Sequence, residues 1–236
     1  MKNNFYNLLF VLTLCLITSA TQAHAIWIEV NPVASLNKPQ EVKVNYGEYV
    51  AAEIENVDKW YSDLKNLEVW LISPSNQKIK LSLIDRQSFL QTSFTPNEEG
   101  TYLITTVHAA KDLGGTTKYQ FASNASVSVG QATPVDFSSL ALSVFTDSKI
   151  YSLKDQVTLQ VFVNGEPSPN TEVIVMSASG WSKTFKSNEQ GQVFFTPLWS
   201  GDYVIETSTY QESQGNWQGN NYSHLWQGST TFIKVN

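Results

Sequence analysis

The stretch Phe94-Thr95-Pro96-Asn97-Glu98-Glu99-Gly100-Thr101-Tyr102-Leu103-Ile104 is met again as Phe195-Thr196-Pro197-Leu198-Trp199-Ser200-Gly201-Asp202-Tyr203-Val204-Ile205, at a constant offset of 101 residues. Upstream, Glu68-Val69-Trp70-Leu71-Ile72 resembles Glu172-Val173-Ile174-Val175-Met176 at an offset of 104, so the intervening loops differ by three residues. Two windows repeated in the same order indicate duplication of a domain of about 100 residues. In each copy Gly-x-Tyr opens a late strand, with glycine making the turn and tyrosine anchoring a corner, as in immunoglobulin-like sandwiches.

The segments around these windows alternate in the manner of strands. Val157 to Val163 reads VTLQVFV, Asn164-Gly165-Glu166-Pro167 is a turn, and Glu172 to Ser177 is the next strand. Further strands are expected at Leu140 to Phe145, Val193 to Phe195, Tyr203 to Ser208 and Ser229 to Val235. Asn56 to Leu67 is expected to be a loop or a single helical turn. The fold class is all-β: two tandem immunoglobulin-like β-sandwich domains, 24–130 and 131–236, behind a signal peptide at 1–23. Their boundary is expected in Val129-Gly130-Gln131-Ala132-Thr133-Pro134.

The leader reading rests on the lysine at position 2, an apolar run of about ten residues from Leu8 to Ile17, and small residues up to Ala25. Such a run is too short to span a bilayer, which takes about 20 residues. Cleavage is expected after Ala23, or else after Ala25, and the product is periplasmic or secreted. The single cysteine, Cys15, leaves with the leader, so the mature chain has neither disulfides nor thiolate ligands.

Composition narrows the function classes. Fifteen Lys+Arg stand against 21 Asp+Glu, a formal net charge of −6, with one arginine and no cationic cluster; nucleic acid is a poor partner. The chain has no G-x-S-x-G, no H-E-x-x-H and no phosphate-cradling glycine loop, so an enzyme is the reading least supported. Asn124-Ala125-Ser126 and Asn221-Tyr222-Ser223 satisfy the glycosylation sequon, which matters only in a eukaryotic secretory pathway.

The three histidines are the residues to weigh. His24 becomes the first residue if cleavage follows Ala23. Its α-amine and imidazole then chelate one ion in a fused ring, because a terminal amine titrates at about pH 8 and gives up its proton readily. His108 ends the strand from Thr101 to Val107, and His224 precedes the last strand; either completes a site if the fold brings it close, together with a carboxylate from Glu29, Glu48, Glu206 or Glu212. Imidazole, amine and carboxylate suit Ni, Cu, Co or Zn, with Cu and Ni held best by affinity order. A competing reading takes the segment from Tyr210 to Gly228 as a loop whose Tyr210, Trp217, Tyr222 and Trp226 present rings to a glycan or protein partner, or else fold inward as a small core.

His24-Ala25-Ile26-Trp27-Ile28-Glu29 directly after a signal peptide resembles the start of exported bacterial proteins of the nickel/cobalt-uptake-associated family, many known only as a domain of unknown function. Asn164-Gly165-Glu166-Pro167, Val173-Ile174-Val175, Gly180-Trp181, Gln190-Gly191, Phe195-Thr196-Pro197, Gly201-Asp202-Tyr203 and His224 follow that family's order, and Tyr46-Gly47-Glu48 is similar to its early G-E. The resemblance implies a periplasmic accessory protein that binds Ni²⁺ or Co²⁺, with Cu²⁺ as a further candidate, and serves an inner-membrane metal transporter. It implies His24 and His224 as ligands, with Glu48 and Glu206 behind them.

Overall fold

A computed structural model describes residues 24–134 and 140–236; residues 1–23, where a leader with Cys15 is expected, lie outside the described residues. The first half of the chain supplies seven main strands: β1 Ala25–Val30, β2 Gln40–Glu48, β3 Val69–Ile72, β4 Lys78–Leu81, β5 Leu90–Phe94, β6 Gly100–Ala109 and β7 Thr117–Val129. The second half supplies β8 Leu142–Phe145, β9 Val157–Val163, β10 Glu172–Ser177, β11 Ser182–Lys186, β12 Gln192–Phe195, β13 Gly201–Trp217 and β14 Asn220–Val235. Asn56 to Leu67 contains two single 3₁₀ turns, Val57–Lys59 and Leu64–Asn66.

The strands form three sheets. One runs β1-β2-β5, one runs β11-β10-β13-β14-β7-β6-β3-β4, and the third pairs β8 and β12 with β9. The long sheet belongs to both halves of the chain, because β14 pairs antiparallel with β13 and parallel with β7, from Thr117 opposite His224 to Asn124 opposite Thr231. Paired residues share a face of a pleated sheet. Phe121, which feeds the first core, is in register with Gly228, whereas Ile233 and Val235 feed the second. The two cores therefore lie on opposite faces of one sheet, and the two smaller sheets cover them.

The first core gathers Ile26, Ile28, Val42, Val44, Ile104 and Val127; the second gathers Val144, Leu159, Val161, Val175, Ile205 and Ile233. A third cluster forms where the outer face of β1 meets the shared sheet, with Trp27, only 1% exposed, against Met176, Val204 and Phe232. A tryptophan buries roughly 200 Å², so Trp27 alone contributes about 5 kcal/mol as an upper bound. Thr230 ties the same seam: its hydroxyl donates to the Ile26 carbonyl at 2.7 Å and lies 2.9 Å from Ser123 Oγ.

The duplicated corners share one design, a tyrosine hydroxyl bonded to the backbone four residues upstream. Tyr102 Oη accepts from the Asn97 and Glu98 amides at 3.1 and 3.0 Å, while Tyr203 Oη accepts from the Trp199 amide at 3.1 Å and donates to its carbonyl at 2.9 Å. Gly100 and Gly201 both have φ of 126°, a region that side-chain-bearing residues avoid.

The expected loop from Tyr210 to Gly228 is corrected: it is the outer half of the β13–β14 hairpin, which turns at Gln218 and Gly219, both with positive φ. A two-residue turn of this hand matches the twist of the strands on either side. The Gln, Asn and Gly that read as loop are tolerated because this half pairs with Thr117 to Phe121 of β7, a contact no local pattern displays.

Candidate functional site

His24 immediately precedes β1, whose Ala25 pairs with Gly47 of β2. A Cβ on Gly47 would stand 2.1 Å from the Glu53 carbonyl oxygen, so glycine lets the following turn fold back closely over β2. That turn is pinned from both ends: the Glu55 amide donates to the Tyr46 carbonyl at 2.9 Å, and Trp60 Nε1 donates to the Glu55 carbonyl at 3.0 Å. The Glu55 side chain is thereby brought to His24, with Oε1 3.4 Å from Nε2 and both side chains 36% exposed. The imidazole lies 5.3 Å from the Tyr46 ring, which packs on Trp60 at 5.8 Å and Phe121 at 6.1 Å.

Further carboxylates surround this corner. Burial raises the Glu48 carboxyl above its ordinary value, the Glu53 charge adds to this, and His24 draws it back down. Glu206 is buried in the shared sheet, opposite Thr230, and burial pushes it up to about 7, with the Glu48 charge contributing. Tyr46 is pushed up to about 12 by burial first and by Glu55 second. His24, Glu48 and Glu206 are thus electrostatically linked, and Glu53 and Glu55 join them. Among the described residues, no three His, Cys, Asp or Glu side chains form a ready-made metal group.

The other two histidines have partners of their own. His108 Nε2 is 3.0 Å from Asp63 Oδ1; burial raises Asp63, but the His108 contact and the Lys111 amide outweigh it and hold the carboxyl below its usual value. His224 lies within β14 rather than on a loop, stacked on Tyr210 at 5.1 Å with an interplanar angle of 7° and 2.9 Å from Ser223 Oγ. Glu29 accepts from Trp27 Nε1 at 2.9 Å. Glu212 is in register with His224 on the hairpin.

The hairpin aromatics divide. Trp226 packs on Phe121 at 5.2 Å and Tyr119 at 5.6 Å at the margin of the first core. Trp217 Nε1 donates to the Ala110 carbonyl at 2.8 Å, and Lys118 Nζ sits 3.7 Å from the centroid of its ring and 5.7 Å from that of Tyr222. Tyr210 is exposed, its hydroxyl 3.4 Å from Thr117 Oγ1.

Sequence reasoning missed Glu53, Glu55 and Asp63. Glu53 and Glu55 follow Tyr46-Gly47-Glu48 closely enough for a return over β2 to be read from Gly47. Asp63 lies 45 residues from His108 and carries no such signal.

A family model described as a domain of unknown function (DUF4198) matches residues 21–211. No curated protein matches significantly. Among solved structures, native Escherichia coli alpha-2-macroglobulin is 8% identical with a TM-score of 0.28, over 91% of this chain and 14% of that one. The trypsin-activated Escherichia coli protein is 9% identical with a TM-score of 0.29, over 90% and 16%. A two-domain fibronectin type III segment of chicken tenascin is 12% identical with a TM-score of 0.23, over 88% and 97%. The chain thus spans less than a fifth of either macroglobulin's length. No helix among the described residues is long and apolar enough to cross a membrane.

Proposed function

The chain belongs to the family known as a domain of unknown function (DUF4198), and we propose that it is an exported protein that binds a transition-metal ion, Ni²⁺, Co²⁺ or Cu²⁺, at an amino terminus beginning with His24. The observation that carries this reading is the contact between His24 Nε2 and Glu55 Oε1 at 3.4 Å. A carboxylate there holds the proton on Nε2 and leaves the Nδ1 lone pair free. Nδ1 is the nitrogen that closes a chelate ring with the α-amine of the same residue. Glu55 thus acts as the outer partner that orients a metal-bound imidazole.

Glu48, whose carboxyl feels the charge of His24, supplies the carboxylate ligand. The donor set of two nitrogens and a carboxylate favours Cu²⁺ and Ni²⁺ over Co²⁺. Glu206 stands behind Glu48, and its burial suits it to hold or release a proton as charge is placed at the corner. In this reading the protein resides in the periplasm or is secreted, and passes its ion to an inner-membrane metal transporter.

Calorimetric titration of the chain beginning at His24, stripped of metal, tests the reading with Ni²⁺, Co²⁺ and Cu²⁺. One equivalent should bind, and His24→Ala should abolish the heat. Absence of heat at micromolar concentrations, or an undiminished His24→Ala titration, sinks it.

A further inference from the structure

We propose that the open side of the second sandwich is a docking groove for an extended polypeptide segment that carries both acidic and apolar residues. Two strand edges meet there. β11 is the terminal strand of the long sheet, paired only with β10, and β12 is paired only with β9 among the described residues. An edge strand paired on one side offers its remaining backbone amides and carbonyls to an incoming strand.

The gap between these edges is lined by Gln156, Trp181, Lys183, Phe185, Phe194 and Leu198. Trp199 closes one end, its ring 5.8 Å from that of Trp181. Leu198 is 57% exposed, Phe194 44% and Trp199 43%. Contiguous apolar exposure on this scale marks an interaction surface more often than an accident of folding.

The duplicated first half provides an internal control. At the offset of 101, Phe194, Leu198 and Trp199 correspond to Ser93, Asn97 and Glu98. The corner they occupy is built in both copies from backbone groups bonded to Tyr102 or Tyr203, so its fold does not require apolar side chains there. Three polar positions of one copy have become exposed apolar ones in the other, on the side where two strand edges lie open.

Charge selects the occupant. Lys183 is the one charged side chain lining the groove among the described residues, its Nζ 4.9 Å from the centroid of the Phe185 ring. Lysines on an edge strand also oppose pairing with a second copy of that edge, and β11 carries both Lys183 and Lys186. Lys183 and Phe185 share one face of β11, so a segment with a carboxylate and an apolar side chain two residues apart sets both against them and leaves its backbone to the open edge.

The test uses fluorescence anisotropy of a labelled synthetic peptide of repeated Ser-Glu-Ser-Phe, which sets Glu and Phe on one face of a strand, with a Ser-Lys-Ser-Phe counterpart. Soluble polysaccharide serves as the alternative ligand. The full chain should bind the acidic peptide saturably and at least about tenfold more tightly than the basic one. The double variant Leu198→Asn, Trp199→Glu, which installs the residues of the first copy, should lose at least about tenfold in affinity with an unchanged melting temperature. Hydrogen exchange should slow at 182–186 on binding. Absence of saturable binding, equal binding of the basic peptide, undiminished binding by the double variant, or polysaccharide held at Trp199 in place of the peptide overturns the proposal.

Discussion

His24 Nε2 and Glu55 Oε1 stand 3.4 Å apart, although 31 residues separate them in the chain. Their meeting depends on the antiparallel pairing of Ala25 with Gly47 and on a turn that brings the Glu55 amide back to the Tyr46 carbonyl. Both side chains remain open to solvent at the end of the first sandwich, where an ion can reach them.

Glu55→Ala is expected to weaken metal binding by about 10- to 100-fold, the range typical for loss of an outer partner of a metal-bound histidine. The fold should be unaffected, because the side chain is only part-buried and the Glu55 backbone keeps its bonds to Tyr46 and Trp60. Titration with Cu²⁺ beside a thermal melt checks both halves; an affinity equal to that of the parent chain counts against the assigned role of Glu55.

The buried carboxyl of Glu206 makes stability of the metal-free chain depend on pH. Its value rises from 4.5 to about 7 on folding, so between those limits the folded state keeps a proton that the unfolded state has released. Stability therefore falls as pH rises through this window. The contribution is fully present below the unfolded value and lost above the folded one, in total about 3 kcal/mol. Glu206→Gln should flatten the dependence and stabilise the chain above neutrality. Urea midpoints at about pH 5 and pH 8 check this; parallel slopes for parent and variant contradict it.

Each tyrosine corner should contribute independently. Tyr102→Phe and Tyr203→Phe each remove hydroxyl bonds to part-buried backbone groups and should cost about 1 kcal/mol. Tyr102→Phe is expected to cost more, since that hydroxyl accepts from two amides and Tyr203 from one. Denaturant midpoints of the two variants decide the order.

Trp217→Ala and Trp226→Ala should both lower stability, by roughly 2 kcal/mol each. Trp217 loses its bond to the Ala110 carbonyl and the Lys118 contact, and Trp226 loses its packing on Phe121 and Tyr119. Unchanged melting temperatures for both would return these rings to the role of a binding surface.

The repeated F-T-P-x-x-x-G-x-Y was enough to read two β-sandwiches, because turn glycine, corner tyrosine and alternating strands are local features. The extent of the β13–β14 hairpin was not legible: its outer half is held by β7, about a hundred residues earlier in the chain, and polar side chains satisfy such pairing as well as apolar ones do. The same distinction runs through the site. His24 and Glu48 come close by the local return of β1 onto β2, whereas Glu206 arrives through the shared sheet. His108 and His224 resembled His24 in scarcity alone, and the fold gives them Asp63 and Tyr210 as partners.

Blocking the amino group of the terminal residue tests the central claim most directly. Cu²⁺ is titrated into the chain beginning at His24 and into the same chain acetylated on its α-amine. A terminal chelate predicts one equivalent bound by the free-amine chain and affinity at least about tenfold weaker after acetylation, because a ligand nitrogen is removed while every side chain stays in place. Equal affinities for the two chains, or no binding by either, would contradict it.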